Sequence, residues 1–382
     1  MDMVAGRVWA DERRPIRHID WFLLLVTACL ILVGLFLLYS ATASTLRGMG
    51  VEPFARVKKQ AVTAVLGFVG LLVIASFDYR FFKVYAGFIY LGSLALLVLV
   101  KVPGLGATDI TGTAQRWFEI AGFQITPSEI TKLALIVMLG AVLSELRSPE
   151  PSVADLIRIL GIAAVPLVLV FVQPDIGTSI VIVAITVGML VVAGARARHL
   201  AVLSVTGMVL ILLVFNLGVI KDYQRERLTA FLDRANVPAD ARYNLDQSLI
   251  AVGSGGLFGK GYLRGTQTNL DYVPEQHTDF IFTVAGEEFG FFGAMFVLLL
   301  YGLLLWRAIR IAYLSKDPFG TYVAAGIASM FAIQMFVNVG MVIGIMPITG
   351  IPLPFLSYGG SSILLSFAAI GMLESIHMRR FT

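Results

Sequence analysis

The sequence predicts an all-α, polytopic integral membrane protein of about ten transmembrane helices, and three observations carry that expectation. Hydrophobic residues make up 58% of the 382-residue chain and charged residues 14%, against about 45–50% and about 25% in an ordinary soluble domain. The apolar excess is gathered into runs of the about 20 residues that a helix needs to cross the hydrocarbon layer. Between Pro318 and Leu373 the chain carries no charge at all.

In order, the expected spans centre on Trp21–Ser40, Gln60–Phe77, Val84–Val100, Pro127–Ser144, Leu156–Val172, Thr178–Ala195, Leu200–Val219, Asp279–Trp306, Tyr322–Met346 and Ser361–Met372. Only the Pro- and Gly-rich stretch MPITGIPLPFLSYGG separates the last two. An even count leaves both termini on one face. Segments on that face hold most of the basic residues, among them Arg13, Arg14, Arg17, Arg80, Lys83, Arg196, Arg198, Arg379 and Arg380. Short loops on the other face hold Arg47, Arg56, Lys58, Lys59, Lys101 and Arg116. Lys and Arg in short loops mark the cytoplasmic side, so the expected topology is N-in, C-in. Residues 1–20 form a cytoplasmic tail that leads into a full-length span with no small-residue cleavage site, so no cleaved signal peptide is expected. A large extracytoplasmic loop, residues 220–278, joins helices 7 and 8, and a second outer loop follows Val100.

The large loop carries seven basic and seven acidic residues, so it is no basic tail for nucleic acid. Its stretches RERLTAFLDRA (Arg225–Ala235) and LDQSLIAVGS (Leu245–Ser254) are expected to be amphipathic helices, and loops this long with helices of their own are usually functional. The one cysteine, Cys29, lies in the first span and rules out an intrachain disulfide. The four histidines show no metal-ligand spacing. No internal repeat is visible, which counts against a transporter built from inverted repeats.

Chemistry-bearing residues concentrate at a few places. Four acids, Glu275, Asp279, Glu287 and Glu288, crowd PEQHTDFIFTVAGEEFG at the start of the eighth span. Asp279 is expected on the first turn of that span, at the outer boundary, where it would either cap the helix or face a water-filled site. Glu287 and Glu288 lie deeper and are expected to bond within the bundle. In TPSEITK, Thr126 at the N-cap, Pro127 at N1 and Glu129 at N3 read as a capping box for the fourth span. Capping leaves Lys132 unexplained. It shares a helix face with Glu129, and an intramembrane lysine marks a functional site by default. Asp175 in QPDIGTS is either an N-cap or Asx turn or a site residue. QRW pairs Arg116, a candidate anion ligand, with Trp117, which suits an interfacial anchor. VGSGGLFGKG (Val252–Gly261) fails the phosphate-loop pattern and has no preceding strand. It is expected to be either a flexible turn or a Gly-rich outer loop offering amides and Lys260 to an anion, with Arg264 close by.

At YNLDQSLIAVGSGGLFGKG, YVPEQHTDFIFTVAGEEFG and GIPLPFLSYGGSS, with QRW, TPSEITK and QPDIGTS in the same order, the chain resembles the SEDS family of peptidoglycan glycosyltransferases, the RodA/FtsW group. The resemblance covers most of the chain and implies a single SEDS membrane domain over residues 1–382. GTQ (Gly265–Gln267) and Pro352 look more like RodA, the elongation member. FQITPSE departs from the usual FQPSE of the family. The resemblance implies polymerisation of lipid II, an undecaprenyl-pyrophosphate disaccharide pentapeptide, on the outer face of the bacterial cytoplasmic membrane. It also implies a class B penicillin-binding transpeptidase partner, alongside other membrane proteins of the elongation complex. The aspartate of HTDF, here Asp279, is the family's essential acid.

Inverting transfer from a pyrophosphate needs a base for the attacking hydroxyl and cations for the leaving group, but no general acid. Asp279 is therefore expected as base. The expected substrate-binding residues are Lys132, Glu129, Arg116, Trp117, Lys260, Arg264 and Asp175, with a resting ion pair between Lys132 and Glu129. No residue spacing calls for a cofactor, although a divalent cation (Mg or Mn) is compatible with the chemistry. Two other classes meet the same composition: a flippase for lipid-linked precursors, and a non-catalytic scaffold of the cell-wall synthesis complex.

Overall fold

The computed structural model describes residues 18–380 except 103, 109–114, 121–122, 147, 149, 217–230 and 232–238. Most of the described chain is helical, arranged as α1 (Trp21–Gly48), α2 (Ala55–Ser76), α3 (Tyr79–Val84), α4 (Ala86–Leu99), three short strands, then α5 (Pro127–Ser144), α6 (Val153–Val172), α7 (Ile176–Val192) and α8 (Ala197–Asn216). After the large loop's α9 (Ala239–Ser254) and α10 (Thr266–Asn269) come α11 (Ile281–Tyr313), α12 (Pro318–Val342) and α13 (Gly360–Arg379). Seven of these, α1, α2, α5, α6, α11, α12 and α13, are long and apolar enough to cross a membrane, and α4, α7 and α8 supply shorter apolar stretches. Each of the ten falls on a segment that the sequence predicts as a span.

Burial sorts the helices. The apolar windows of α5, α12 and α13 are 78%, 72% and 83% buried, whereas those of α6 and α11 are 28% buried. The first three form the centre, and the last two present their apolar side chains outward, as helices bordering lipid do. α12 packs on α5, α7 and α11, and α13 packs along α2. Polar caps close the helix starts: Asp20, Asp78, Ser152, Asp175 and Asp317 each accept a backbone N–H in the following turn.

Three local expectations are corrected. The chain is not purely α, because the loop after Val100 folds as a small antiparallel sheet, β1 (Ala107–Thr108), β2 (Gln115–Ile120) and β3 (Phe123–Ile125), in that order. The capping box at α5 does not form: Thr126 is the N-cap but its side chain makes no cap bond, and its own N–H donates to Ser361 Oγ at 2.9 Å. Thirdly, Asp279 precedes α11 instead of standing on its first turn; the N-cap is Phe280, with no side-chain cap bond. The expected helix over Arg225–Ala235 lies outside the described residues, Phe231 excepted, while Leu245–Ser254 is the second half of α9.

The Gly-rich stretch that ends α9 and follows it is docked against α11 by main-chain bonds. α11 breaks at Gly290 (φ 66°, ψ −158°), a conformation open almost only to glycine. In a continuous helix the carbonyls of Glu287 and Glu288 would accept from Phe291 and Phe292. Here they accept instead from the amides of Lys260 and Gly261, both at 3.0 Å, while Phe291 and Phe292 donate to the carbonyls of Gly256 (2.9 Å) and Leu257 (3.2 Å). The stretch therefore plugs the break with main-chain bonds that satisfy the carbonyls of Glu287 and Glu288 and the amides of Phe291 and Phe292. The amides of Lys260 and Gly261 are thereby committed to α11, and those of Gly255 and Gly259 bond within the stretch, so none of these four is free for an anion. Glycine is required for the approach: a Cβ on Gly259 would lie 2.1 Å from the Glu288 carbonyl oxygen.

Candidate active site

A cavity of about 660 Å³ opens where several helices begin. β2 contributes Arg116 and Trp117; the start of α5 gives Ser128, Glu129 and Lys132; the α6–α7 turn gives Pro174 and Asp175, and the first turn of α7 gives Thr178. Thr278 and Asp279 enter just before α11, and the wall is completed by Ile348–Pro352 after α12 and by Tyr358–Ser362 leading into α13. The N-terminal ends of α5, α7 and α13 thus face one space, and each brings the partial positive charge of a helix start. Such an enclosure suits an anionic ligand.

Within it, Lys132 is 1% exposed and its Nζ lies 2.7 Å from Glu129 Oε1, so the expected ion pair is formed. The other carboxylate oxygen of Glu129 is buried without a hydrogen-bond partner. Asp175 caps α7, accepting from the Thr178 N–H at 3.0 Å and the Thr178 hydroxyl at 2.8 Å. Arg116 donates to the carbonyls of Gln173 (3.1 Å) and Pro174 (2.8 Å), fastening β2 to the α6–α7 turn. Both residues are anchored structurally and line the cavity as well.

Asp279 is half-buried in the turn 274–280. Its N–H donates to the Glu275 carbonyl at 3.0 Å, and Glu275 itself is held at φ 52°, a strained setting for a side-chain-bearing residue. From the opposite side, Asn338 of α12 donates to the Asp279 carbonyl at 2.8 Å and to the Ile351 carbonyl at 2.7 Å. That amide ties the Asp279 turn to the loop after α12. In the same loop, a Cβ on Gly350 would lie 3.3 Å from Asp279 Oδ2, so glycine leaves room for the carboxylate. Neighbouring His277 titrates below its usual range because burial, and then the nearby Arg56, disfavour its cation. Burial likewise pushes the Tyr358 phenol up.

Six of the predicted site residues, Asp279, Lys132, Glu129, Arg116, Trp117 and Asp175, therefore share one cavity. Lys260 and Arg264 do not belong to its lining. Lys260 Nζ is held by Glu287 Oε1 at 2.8 Å and Thr266 Oγ1 at 2.7 Å, because its backbone is docked against the break in α11; Arg264 is exposed on the same loop. Among the described residues no group of three or more His, Cys, Asp or Glu side chains is placed to hold a metal ion.

Comparison with known proteins settles the kinship. The family of cell-cycle proteins comprising FtsW, RodA and SpoVE matches residues 20–381. The chain belongs to this family. It is 38% identical to stage V sporulation protein E of Bacillus subtilis over 94% of this chain and 96% of that one. It is 36% identical to the peptidoglycan glycosyltransferase MrdB of Escherichia coli, over 95% and 94%. Among solved structures, the rod-shape-determining protein RodA of Thermus thermophilus superposes with a TM-score of 0.70 at 28% identity, over 95% and 98% of the two chains. A chain from a peptidoglycan synthase complex, described as coordinating polymerization and crosslinking, reaches 0.80 at 28% identity, over the same shares. Relatives named FtsW lie at 34–38%, so identity alone does not single out the elongation member.

The cavity also includes groups that the sequence left without a catalytic or binding role. Ile348–Pro352 and Tyr358–Ser362 split a charge-free run and carried part of the family resemblance, with no site role assigned to them. Their density of Gly and Pro, in a stretch otherwise able to span, was the available signal that the backbone there leaves the helix and lines a cavity. Gln124 and Ser361 are further examples. Ser361 Oγ donates to the Gln124 carbonyl at 2.6 Å and accepts from Thr126, joining α13 to β3 and α5.

Proposed function

We propose that the chain is a peptidoglycan glycosyltransferase that polymerises lipid II into glycan strands during cell-wall elongation and the maintenance of cell shape, with Asp279 as general base. The single observation that carries this reading is the cavity in which Asp279 meets Lys132, Glu129, Arg116, Trp117 and Asp175, in a family member whose relatives bear that activity in their names. The attacking sugar hydroxyl loses its proton to the Asp279 carboxylate as its oxygen bonds to the donor's anomeric carbon. The carbon–oxygen bond to pyrophosphate breaks, and its electron pair departs on the undecaprenyl pyrophosphate. Inversion at the anomeric carbon follows from a single displacement with one carboxylate. The pyrophosphate's charge is met by the helix starts of α5, α7 and α13, with Lys132 and Arg116 behind them.

The residues act as one membrane domain, with the cavity on the extracytoplasmic face of the cytoplasmic membrane. Support for a class B penicillin-binding transpeptidase as partner comes from the relative solved within a synthase complex. The elongation role rests on GTQ and Pro352. A flippase would need polar groups spread through the midplane, whereas here they gather where helices begin, which favours the enzyme.

The test is direct. Purified protein mixed with lipid II in detergent should yield glycan chains, and Asp279→Asn should lower the rate by about 10²–10⁴-fold, the usual worth of a positioned base, while remaining folded. A folded Asp279→Asn protein that polymerises normally would remove Asp279 from the mechanism.

A further inference from the structure

Glu287 is fully buried in α11, three residues before the break. A carboxylate inside a membrane protein is costly unless its lone pairs are satisfied. Here every donor comes from the preceding loop. Oε1 accepts from Lys260 Nζ (2.8 Å), the Gln267 N–H (2.9 Å) and Thr266 Oγ1 (3.3 Å), and Oε2 accepts from the Thr268 N–H (3.0 Å) and hydroxyl (2.8 Å). The fit is close: a Cβ on Gly265 would lie 2.7 Å from Oε2. The Thr268 hydroxyl, whose hydrogen is donated to Glu287, accepts from Gln276 Nε2 at 3.1 Å, and Gln276 also donates to Thr283 Oγ1 at 3.0 Å. Thr268, Gln276 and Thr283 are all buried. Gln276 stands in the turn that carries Asp279, three residues before it.

We propose that Glu287 is a positioning residue for the reaction: through Thr268 and Gln276 it sets the turn that aims Asp279 into the cavity. The proposal rests on Asp279 being the base. The chain of bonds has a direction, since the acid accepts, the threonine relays and the glutamine donates. Without Glu287, nothing fixes which way the Thr268 hydroxyl points, and the Gln276 amide loses an oriented acceptor. Asn338 would still hold the Asp279 carbonyl from the other side, so the turn would loosen and not unfold. A misplacement of about 1 Å at a reacting group can cost about 10²-fold in rate.

The experiment measures initial polymerisation rates against lipid II concentration, with the melting temperature of each variant in the same detergent. Thr268→Val and Gln276→Leu break the relay while keeping volume. Each should lower kcat about tenfold, with KM changed less than about twofold and the melting temperature held, as expected when a transition-state interaction alone is lost. Thr268→Ser keeps the hydroxyl and should restore kcat. Glu287→Gln should lower kcat further. Adding Lys260→Met to it removes the cation left unpaired, and should recover the melting temperature without recovering kcat. The proposal is overturned if folded Thr268→Val and Gln276→Leu turn over like the wild type, or if every loss of rate follows a loss of melting temperature. Asp279→Asn run beside them separates the two ideas: its full activity would sink the base assignment, whereas an inactive Asp279→Asn with fully active relay variants would sink only the positioning role.

Discussion

At the scale of single residues, the pair Lys132 and Glu129 separates packing from chemistry. Glu129 does not cap α5. Its backbone N–H donates to the Thr126 carbonyl, and its carboxylate answers Lys132. Glu129→Gln therefore leaves a buried lysine facing a neutral amide, and breaking a buried pair costs about 3–5 kcal/mol. That variant should melt lower and accumulate less. Lys132→Met removes the cation and fills its space, and deleting a charge from a span eases insertion. It should accumulate well and polymerise poorly; normal lipid II polymerisation by Lys132→Met would leave the pair with a purely structural task. The sequence made these two residues legible because a charge in an apolar run is conspicuous. Asn338 and Gly350 were not, since an uncharged amide and a glycine in an apolar stretch carry no such mark, although they hold and admit the Asp279 turn.

At the scale of elements, the spans were readable because lipid leaves a helix as the only form for an isolated apolar run. The parts that depend on contacts distant in sequence were not. The stretch VGSGGLFGKG has the composition of a flexible loop, and only the break at Gly290, distant in sequence, gives the amides of Lys260 and Gly261 their partners. That docking predicts unequal effects for one kind of substitution. Gly290→Ala would force a Cβ to 2.4 Å from the Gly259 nitrogen, and Gly259→Ala would strike the Glu288 carbonyl oxygen. Both sit at positive φ, where strain of about 1–3 kcal/mol is added to the clash. Both should lose folded protein and activity together. Gly302→Ala, on the same helix with nothing within 4 Å of the added methyl, should match the wild type in melting temperature and rate. Equal tolerance at all three positions would mean that the loop is not docked into α11. The sheet escaped the sequence reading for a related reason: β1 and β3 are only two and three residues long, and the six residues of β2, QRWFEI, do not alternate apolar with polar.

At the scale of the whole molecule, contacts group the helix ends into two sets. Arg80, just after α2, pairs with Asp317 before α12 at 2.9 Å. Arg307 near the end of α11 pairs with Asp20 before α1, and Arg379 at the end of α13 approaches Asp78 at 3.8 Å. The cavity gathers the opposite ends: the starts of α5, α7 and α13, the turn before α11 and the loop after α12. Both groupings are those expected of ten segments alternating in direction, and the basic residues favour the first set as the cytoplasmic one. On the proposed orientation the cavity would face outward, where a lipid-linked sugar awaiting polymerisation would be met. Cysteine labelling decides the orientation. In a Cys29→Ala background, Leu270→Cys places a thiol on an exposed position of the loop carrying Asp279, and Lys316→Cys places one between α11 and α12, also exposed. An impermeant thiol reagent applied to intact cells should modify the first and leave the second untouched until the membrane is opened. The reverse pattern would put the cavity in the cytoplasm, and the assignment of the extracytoplasmic face would fall with it.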